Sequence, residues 1–360
     1  MKLFVVLYGI LIALPLLTDQ FAGVVIPFNE KERPLAGAIR WDGWVGDLNR
    51  AGLEVEHILS PRQYHYRAPF FSKIIHDDSI QCRGTTQAIM DQEIAYAKYA
   101  GLDYWAFCWY PSGSGLDTAR QLYLESAYKN DIKWCVILGT NPFDYDKDGR
   151  WLVEKFKENN YQKVLNGRPL VYVFSATVTL LPQLTALRDL SRLAGVPDPY
   201  IVVMRFSAQN AVAAADSLNA DAIGCYASVA DFETGAPYNR AAYSPAVSKS
   251  DQAGWEKYAA SGKPLVPWVT AGWNPKPRIE RSVLWNSYYT TNGYAKDGTP
   301  DQIAQSLQNA INWTSSNKNA AEAGVILMYA WNEFDEGGWI CPTLGNNTSR
   351  LEAIRKILKK

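Results

Sequence analysis

The chain has 360 residues, 48% of them hydrophobic and 20% charged, which suits one large or two ordinary domains of a water-soluble globular protein. Lys and Arg number 36 and Asp and Glu number 36. This balance leaves no global field to attract nucleic acid or an anionic membrane, so neither is expected as a partner.

Met1 and Lys2 form a short charged start, and residues 3–17 are apolar. Asp19 interrupts the run, and Ala22-Gly23 offers small residues. Residues 1–22 read as a secretory signal peptide, with 23–360 the mature domain, secreted or periplasmic and free of the membrane once cleaved. An uncleaved anchor is the alternative, although the run is short for a span.

From residue 36 onward, apolar runs alternate with helical patterns. The first run, residues 36–42, ends in Arg40-Trp41-Asp42. Residues 43–84 show no clear period and are rich in aromatic and ionisable groups, Trp44, His65 and His76 among them, as expected of a functional loop. A helix opens at Thr85-Thr86 and ends at Gly101. Strands follow at 102–110, 132–138, 169–174, 200–204, 221–226, 264–269 and 324–330. Helices lie between them at 117–130, 151–163, 181–193, 208–218, 250–261 and 300–313, the last with Pro300 in its first turn, and residues 349–360 close the chain as a helix. Long loops span 227–247 and 274–299.

Eight apolar strands, each followed by a helix, imply a parallel sheet, and units of this size fit a closed (β/α)8 TIM barrel in a single domain. An open doubly wound sheet is the alternative, but no Gly-rich dinucleotide fingerprint follows the first strand. In a barrel the C-terminal strand ends meet at one face, where chemistry is built. That face would collect Trp41, Asp42, Trp44, Trp109, Tyr110, Thr140, Asn141, Ser175, Arg205, Tyr226, Trp273, Asn274 and residues 331–339. The list is aromatic, amide and carboxylate, the set expected where a polyol is bound, and it draws on a chain with 13 Trp and 21 Tyr.

The last strand turns abruptly into Trp331-Asn332-Glu333-Phe334-Asp335-Glu336-Gly337. Three acids at the end of a buried strand raise one another's proton affinity. One carboxyl can then act as an acid while another stays ionised. Paired carboxylates between flat aromatic faces suggest glycosidic chemistry, with Glu333 and Glu336 as the catalytic pair. Asn332 and Trp339 flank them as substrate contacts. Asp42 has three readings, a substrate contact, an alternative catalytic acid or a structural ion pair with Arg40 or Arg205, and Arg278 reads as the anchor of its own loop. The five cysteines, Cys82, Cys108, Cys135, Cys225 and Cys341, form no CxxC or His-paired pattern, so no metal or other cofactor is expected. One disulfide stays open.

Residues 331–337 resemble the WNExxEG motif of glycoside hydrolase family 99 and of related proteins from polysaccharide-biosynthesis clusters. Residues 101–110 are similar to their second strand, and Ala271-Gly272-Trp273-Asn274-Pro275-Lys276-Pro277-Arg278 to the GWDxxPR segment of the biosynthesis relatives. The resemblance implies retaining hydrolysis within an α-linked poly- or oligosaccharide. Glu333 would be the base acting on the sugar's own 2-hydroxyl, and Glu336 the general acid. The biosynthesis relatives imply an alternative, a non-hydrolytic carbohydrate-binding or glycan-assembly protein on the same barrel. A metal-dependent hydrolase is disfavoured by the three histidines.

Overall fold

The computed structural model describes residues 33–139, 141–175, 177–285 and 293–359. The leader read from residues 1–22, and Thr140, lie outside the described residues. Among the described residues no helix is long and apolar enough to cross a membrane.

Eight strands are found where the apolar runs predict them: β1 Leu35–Arg40, β2 Tyr104–Cys108, β3 Lys133–Leu138, β4 Arg168–Phe174, β5 Tyr200–Met204, β6 Ala222–Gly224, β7 in two halves, Leu265–Val266 and Trp268–Thr270, and β8 Val325–Tyr329. Pairing is parallel from β8 through β1, β2, β3, β4 and β5 to β6. The first half of β7 pairs with β6 and the second half with β8, so the ring closes through β7. Pro267 divides the halves because it has no N–H to give the ladder. Its carbonyl still accepts from Leu327 N–H at 3.0 Å.

Around the ring run α1 Gln87–Ala100, α2 Thr118–Glu125, α3 Arg150–Lys157, α4 Leu181–Leu193, α5 Ala208–Leu218, α6 Lys249–Ala259, α7 Pro300–Ser316 and α8 Ser349–Leu358. Their ends follow ordinary capping chemistry. Thr299 and Gln302 form a reciprocal capping box at α7, and Gly101 closes α1 at φ +84°. The barrel interior is filled rather than hollow. Tyr104 and Tyr172 meet inside it, hydroxyl to hydroxyl at 2.8 Å. Gly37 makes room for them, since a Cβ there would lie 2.1 Å from the Tyr104 ring.

Residues 43–84 are more ordered than their sequence predicts. They hold a helix, Arg50–Leu59, and a hairpin, Lys73–His76 with Ser79–Gln81. Ala51, Val55, Ile58 and Leu59 do supply a buried helical stripe. Gly52 interrupts the pattern for a packing reason: a Cβ there would meet Gly46 O at 2.2 Å. Two barrel helices are shorter than predicted. α2 ends at Glu125, and the Ser126 hydroxyl turns back to Asp91 at 2.6 Å. α3 ends at Lys157 because Asn160 and Gln162 pair with the Trp134 backbone instead. All five cysteines are free thiols. Four are buried, and Cys108 is partly exposed.

Candidate active site

β8 is fully buried, and its polypeptide carries that burial past the strand: Trp331, Asn332, Glu333, Asp335 and Glu336 are each at most 6% exposed. Asn332–Glu333 pairs with Gly338–Trp339 as a small antiparallel ribbon. Gly337, at φ +86°, makes the reversal. Three carboxyls are thereby forced into one desolvated turn, where charge is expensive unless paired.

The pairing comes from the loop after β7. Arg278 donates from Nε to Asp335 Oδ2 at 2.7 Å and from Nη1 to Glu336 Oε1, and its Nη2 lies 3.8 Å from Glu333 Oε2. The guanidinium is 5.8 Å from the ring centres of both Trp41 and Trp285. The sequence reading of Arg278 as a loop anchor is therefore corrected: it sits at the centre of the acidic turn. The two loops are held together by backbone. A Cβ at Gly272 would meet Gly337 O at 2.1 Å, Asn274 N–H donates to Glu336 O at 2.6 Å, and Ala271 N–H donates to Tyr329 O at 2.7 Å.

Two tyrosines complete the polar set. Tyr329, on β8, donates to Glu336 Oε2. Tyr226, at the end of β6, donates to Glu333 Oε1 at 3.4 Å and lies 3.6 Å from Cys108 Sγ. Burial holds both phenols well above their usual range, so they stay donors. Burial, then the neighbouring charge of Glu336, push the Glu333 carboxyl well above its usual range, against the pull of Arg278. Glu333 Oε2 and Asp335 Oδ1 have no hydrogen-bond partner among the described residues.

A cavity of about 540 Å³ opens over this turn, within the usual size range of small-molecule sites. Seven of the residues predicted for this face line it: Trp41, Tyr110, Ser175, Tyr226, Trp273, Glu333 and Glu336. Trp41 Nε1 donates to the Tyr110 hydroxyl at 2.7 Å, fixing one wall. Sequence reasoning missed Phe174, Phe206 and Trp285, which also line it. Phe174 and Phe206 end β4 and follow β5, so strand ends could have found them. Trp285 lies in a loop without a pattern. A second groove of about 230 Å³ shares Ser175 with the cavity and is lined by Asn141, Phe143, Thr177, Thr179 and Gln183.

The other predicted residues are placed outside the cavity. Asp42 pairs with Arg40 Nε at 2.8 Å rather than with Arg205. Burial pushes its carboxyl up to about 6, against Arg40. Asn332 bridges Asp42 and the Trp41 N–H. Trp44 donates to Asn332 O at 2.8 Å and packs on Phe334. Trp109 is buried under the Arg120 guanidinium at 3.9 Å. Arg205 points back to Met204 O. Trp339 lies under Arg350 at 3.5 Å. His65 bonds Ser60 O, and His76 sits on the exposed hairpin.

No family model and no curated protein match the sequence. Solved structures do. The chain is similar to the GH99 endo-α-mannosidase of Bacteroides thetaiotaomicron in complex with Bis-Tris propane, at 13% identity and TM-score 0.57, covering 90% of this chain and 96% of that one. A second structure of the GH99 endo-α-mannosidase from Bacteroides thetaiotaomicron matches at 13% identity and TM-score 0.53, covering 90% and 98%. Identity this low carries the fold alone. The chain thus shares the fold of the solved glycoside hydrolase family 99 structures, the barrel that the WNExxEG resemblance implied.

Proposed function

We propose that the chain is a glycoside hydrolase that cleaves within an α-linked poly- or oligosaccharide, with retention, through Glu333 and Glu336. The observation that carries this reading is the pair itself: two carboxyls of one buried turn lining an aromatic cavity at the C-terminal mouth of a barrel. Trp41, Trp273 and Tyr226 offer flat faces to sugar rings. The groove beyond Ser175 supports an extended chain, hence cleavage within it rather than at an end. The leader-like residues 1–22 support action outside the cytoplasm, where a polymer is met.

In the mechanism that the motif implies, Glu333 takes the proton of the sugar's 2-hydroxyl as that oxygen attacks the anomeric carbon. Glu336 gives a proton to the departing glycosidic oxygen. Water then opens the resulting ring with the two roles reversed, which restores both carboxyls and retains the anomeric configuration. One observation favours the inverse assignment. Glu333 has the raised proton affinity, while Arg278 and Tyr329 both donate to Glu336.

One experiment tests the pair and orders the roles. Wild type, Glu333→Gln and Glu336→Gln are compared on α- and β-linked polysaccharides by reducing ends, then on a glycoside with an activated leaving group. Both variants should lose at least ~100-fold. The activated substrate should rescue whichever variant lacks the acid. Cleavage that survives both substitutions would sink the reading. Binding without cleavage by wild type would transfer it to the non-hydrolytic alternative.

A further inference from the structure

We propose that Arg278 is a positioning residue that holds Glu333, Asp335 and Glu336 together and sets how many protons the three carboxyls share. The proposal extends the glycosidase reading, but its test does not depend on turnover.

The guanidinium spends a different nitrogen on each acid: Nε on Asp335, Nη1 on Glu336 and Nη2 toward Glu333. Its planar fork suits this, and a lysine would offer one point charge in its place. The residue is 4% exposed, and the acids are 4%, 0% and 6% exposed, so water screens little. With Arg278 present, the formal charge of the set is −2; without it the same buried volume would carry −3. A cluster that interacts this strongly titrates as a unit, and it answers the loss of a cation by binding another proton.

Among the described residues, the titratable groups that face the cluster include Tyr329 from β8, Tyr226 from the end of β6, Cys108 and Tyr110 from β2 and the turn after it, and Cys82 from the segment before α1. Burial raises the proton affinity of all five, so they do not supply compensating charge in the neutral range. On Arg278's own short helix, Lys276 and Glu280 pair with each other at 3.4 Å.

The loop is built to deliver this side chain. Pro275 and Pro277 stiffen the turn into the helix Lys276–Glu280. Asn274 is held from both sides, its N–H by Glu336 O and its carbonyl by Arg67 Nη1 at 2.8 Å. Trp41 and Trp285 flank the guanidinium at equal distances. The charge state of the turn is thus coupled to two walls of the cavity.

The test is a pH titration of carboxyl carbons by NMR, on protein labelled at Glu Cδ and Asp Cγ, for wild type, Arg278→Met and Arg278→Lys. Arg278→Met should raise the highest carboxyl midpoint by ~1–3 pH units, and Arg278→Lys should keep it within ~0.5 of wild type, since the charge remains. Unchanged midpoints in Arg278→Met would overturn the proposal. If that variant unfolds, Arg278→Met with Glu336→Gln removes one charge of each sign and should recover at least about half of the lost Tm. No recovery would also overturn it. Where a cleaved glycan is in hand, the pH optimum should move with Arg278→Met and stay with Arg278→Lys. If wild type cleaves nothing, the glycosidase reading fails while the titration still decides the role of Arg278.

Discussion

Asn332 accepts from Trp41 N–H at 3.0 Å and donates to Asp42 Oδ1 at 3.2 Å, while its own carbonyl accepts from Trp44 Nε1. One amide thus ties the end of β1 to the acidic turn, although it does not line the cavity. Asn332→Ala leaves the Trp41 N–H without its acceptor and takes from Asp42 Oδ1 one of its two donors, Arg40 being the other; it should cost about 2 kcal/mol by urea unfolding. Asn332→Asp should be more destabilising above pH 6 than below, because it sets a new charge beside Asp42; equal losses at both pH values would refute this account. The sequence showed the acids and the wall aromatics because charge and Trp stand out at strand ends. It did not show Arg278, whose partners lie 55 or more residues further along. Nor did it separate Trp41 from Trp44, or Tyr110 from Trp109, since residues one or a few apart at a strand end face different sides and only packing decides which.

The elements were legible for a different reason. Parallel strands buried on both faces read as apolar runs, and all eight stand out. The helix Arg50–Leu59 did not, since Gly52 breaks its stripe to admit the backbone of Gly46. A similar close approach governs the two loops that form the site. Gly272 and Gly337 bring the β7 and β8 loops into backbone contact, and Arg278 is aimed from one at the acids of the other. Gly272→Ala places a methyl into Gly337 O and should cost about 2 kcal/mol. The displaced loop should lower turnover by ~100-fold through misplacement of the site. Gly262→Ala is the control: its φ is +76° but nothing lies within 4 Å of the new methyl. It should cost about 1 kcal/mol and leave turnover intact. Equal turnover in the two variants would show that the loop contact does not position the site.

For the whole molecule, several buried carboxyls set how stability follows pH. Burial pushes Asp42 up to about 6 from 3.8 and Asp251 up to about 7 from 3.8, and holds Glu333 well above its usual range. Asp251, on α6, is held by Ser228 and Thr270 and does not line the cavity. In each case the folded state binds the proton more tightly than the unfolded chain. The stabilisation is therefore complete below about pH 4 and is lost as pH rises through 6 to 7. A tenfold change in proton affinity is worth about 1.4 kcal/mol, so Asp42 alone contributes on the order of 3 kcal/mol. Asp221 acts in the other sense. Against its burial, bonds from Ile201 N–H, Arg168 and Arg188 hold its carboxyl below 3.8, and its contribution is lost only in strong acid. The two tendencies leave maximum stability on the acid side of neutrality. Tm by scanning calorimetry should fall by at least about 5 °C between pH 5 and pH 8. Asp251→Asn, which mimics the protonated carboxyl, should flatten that slope without touching the cavity. A Tm that is level or rising from pH 5 to pH 8 would mean that these carboxyls are ionised and compensated in the folded protein, and that the acidic turn is wetter than its burial implies.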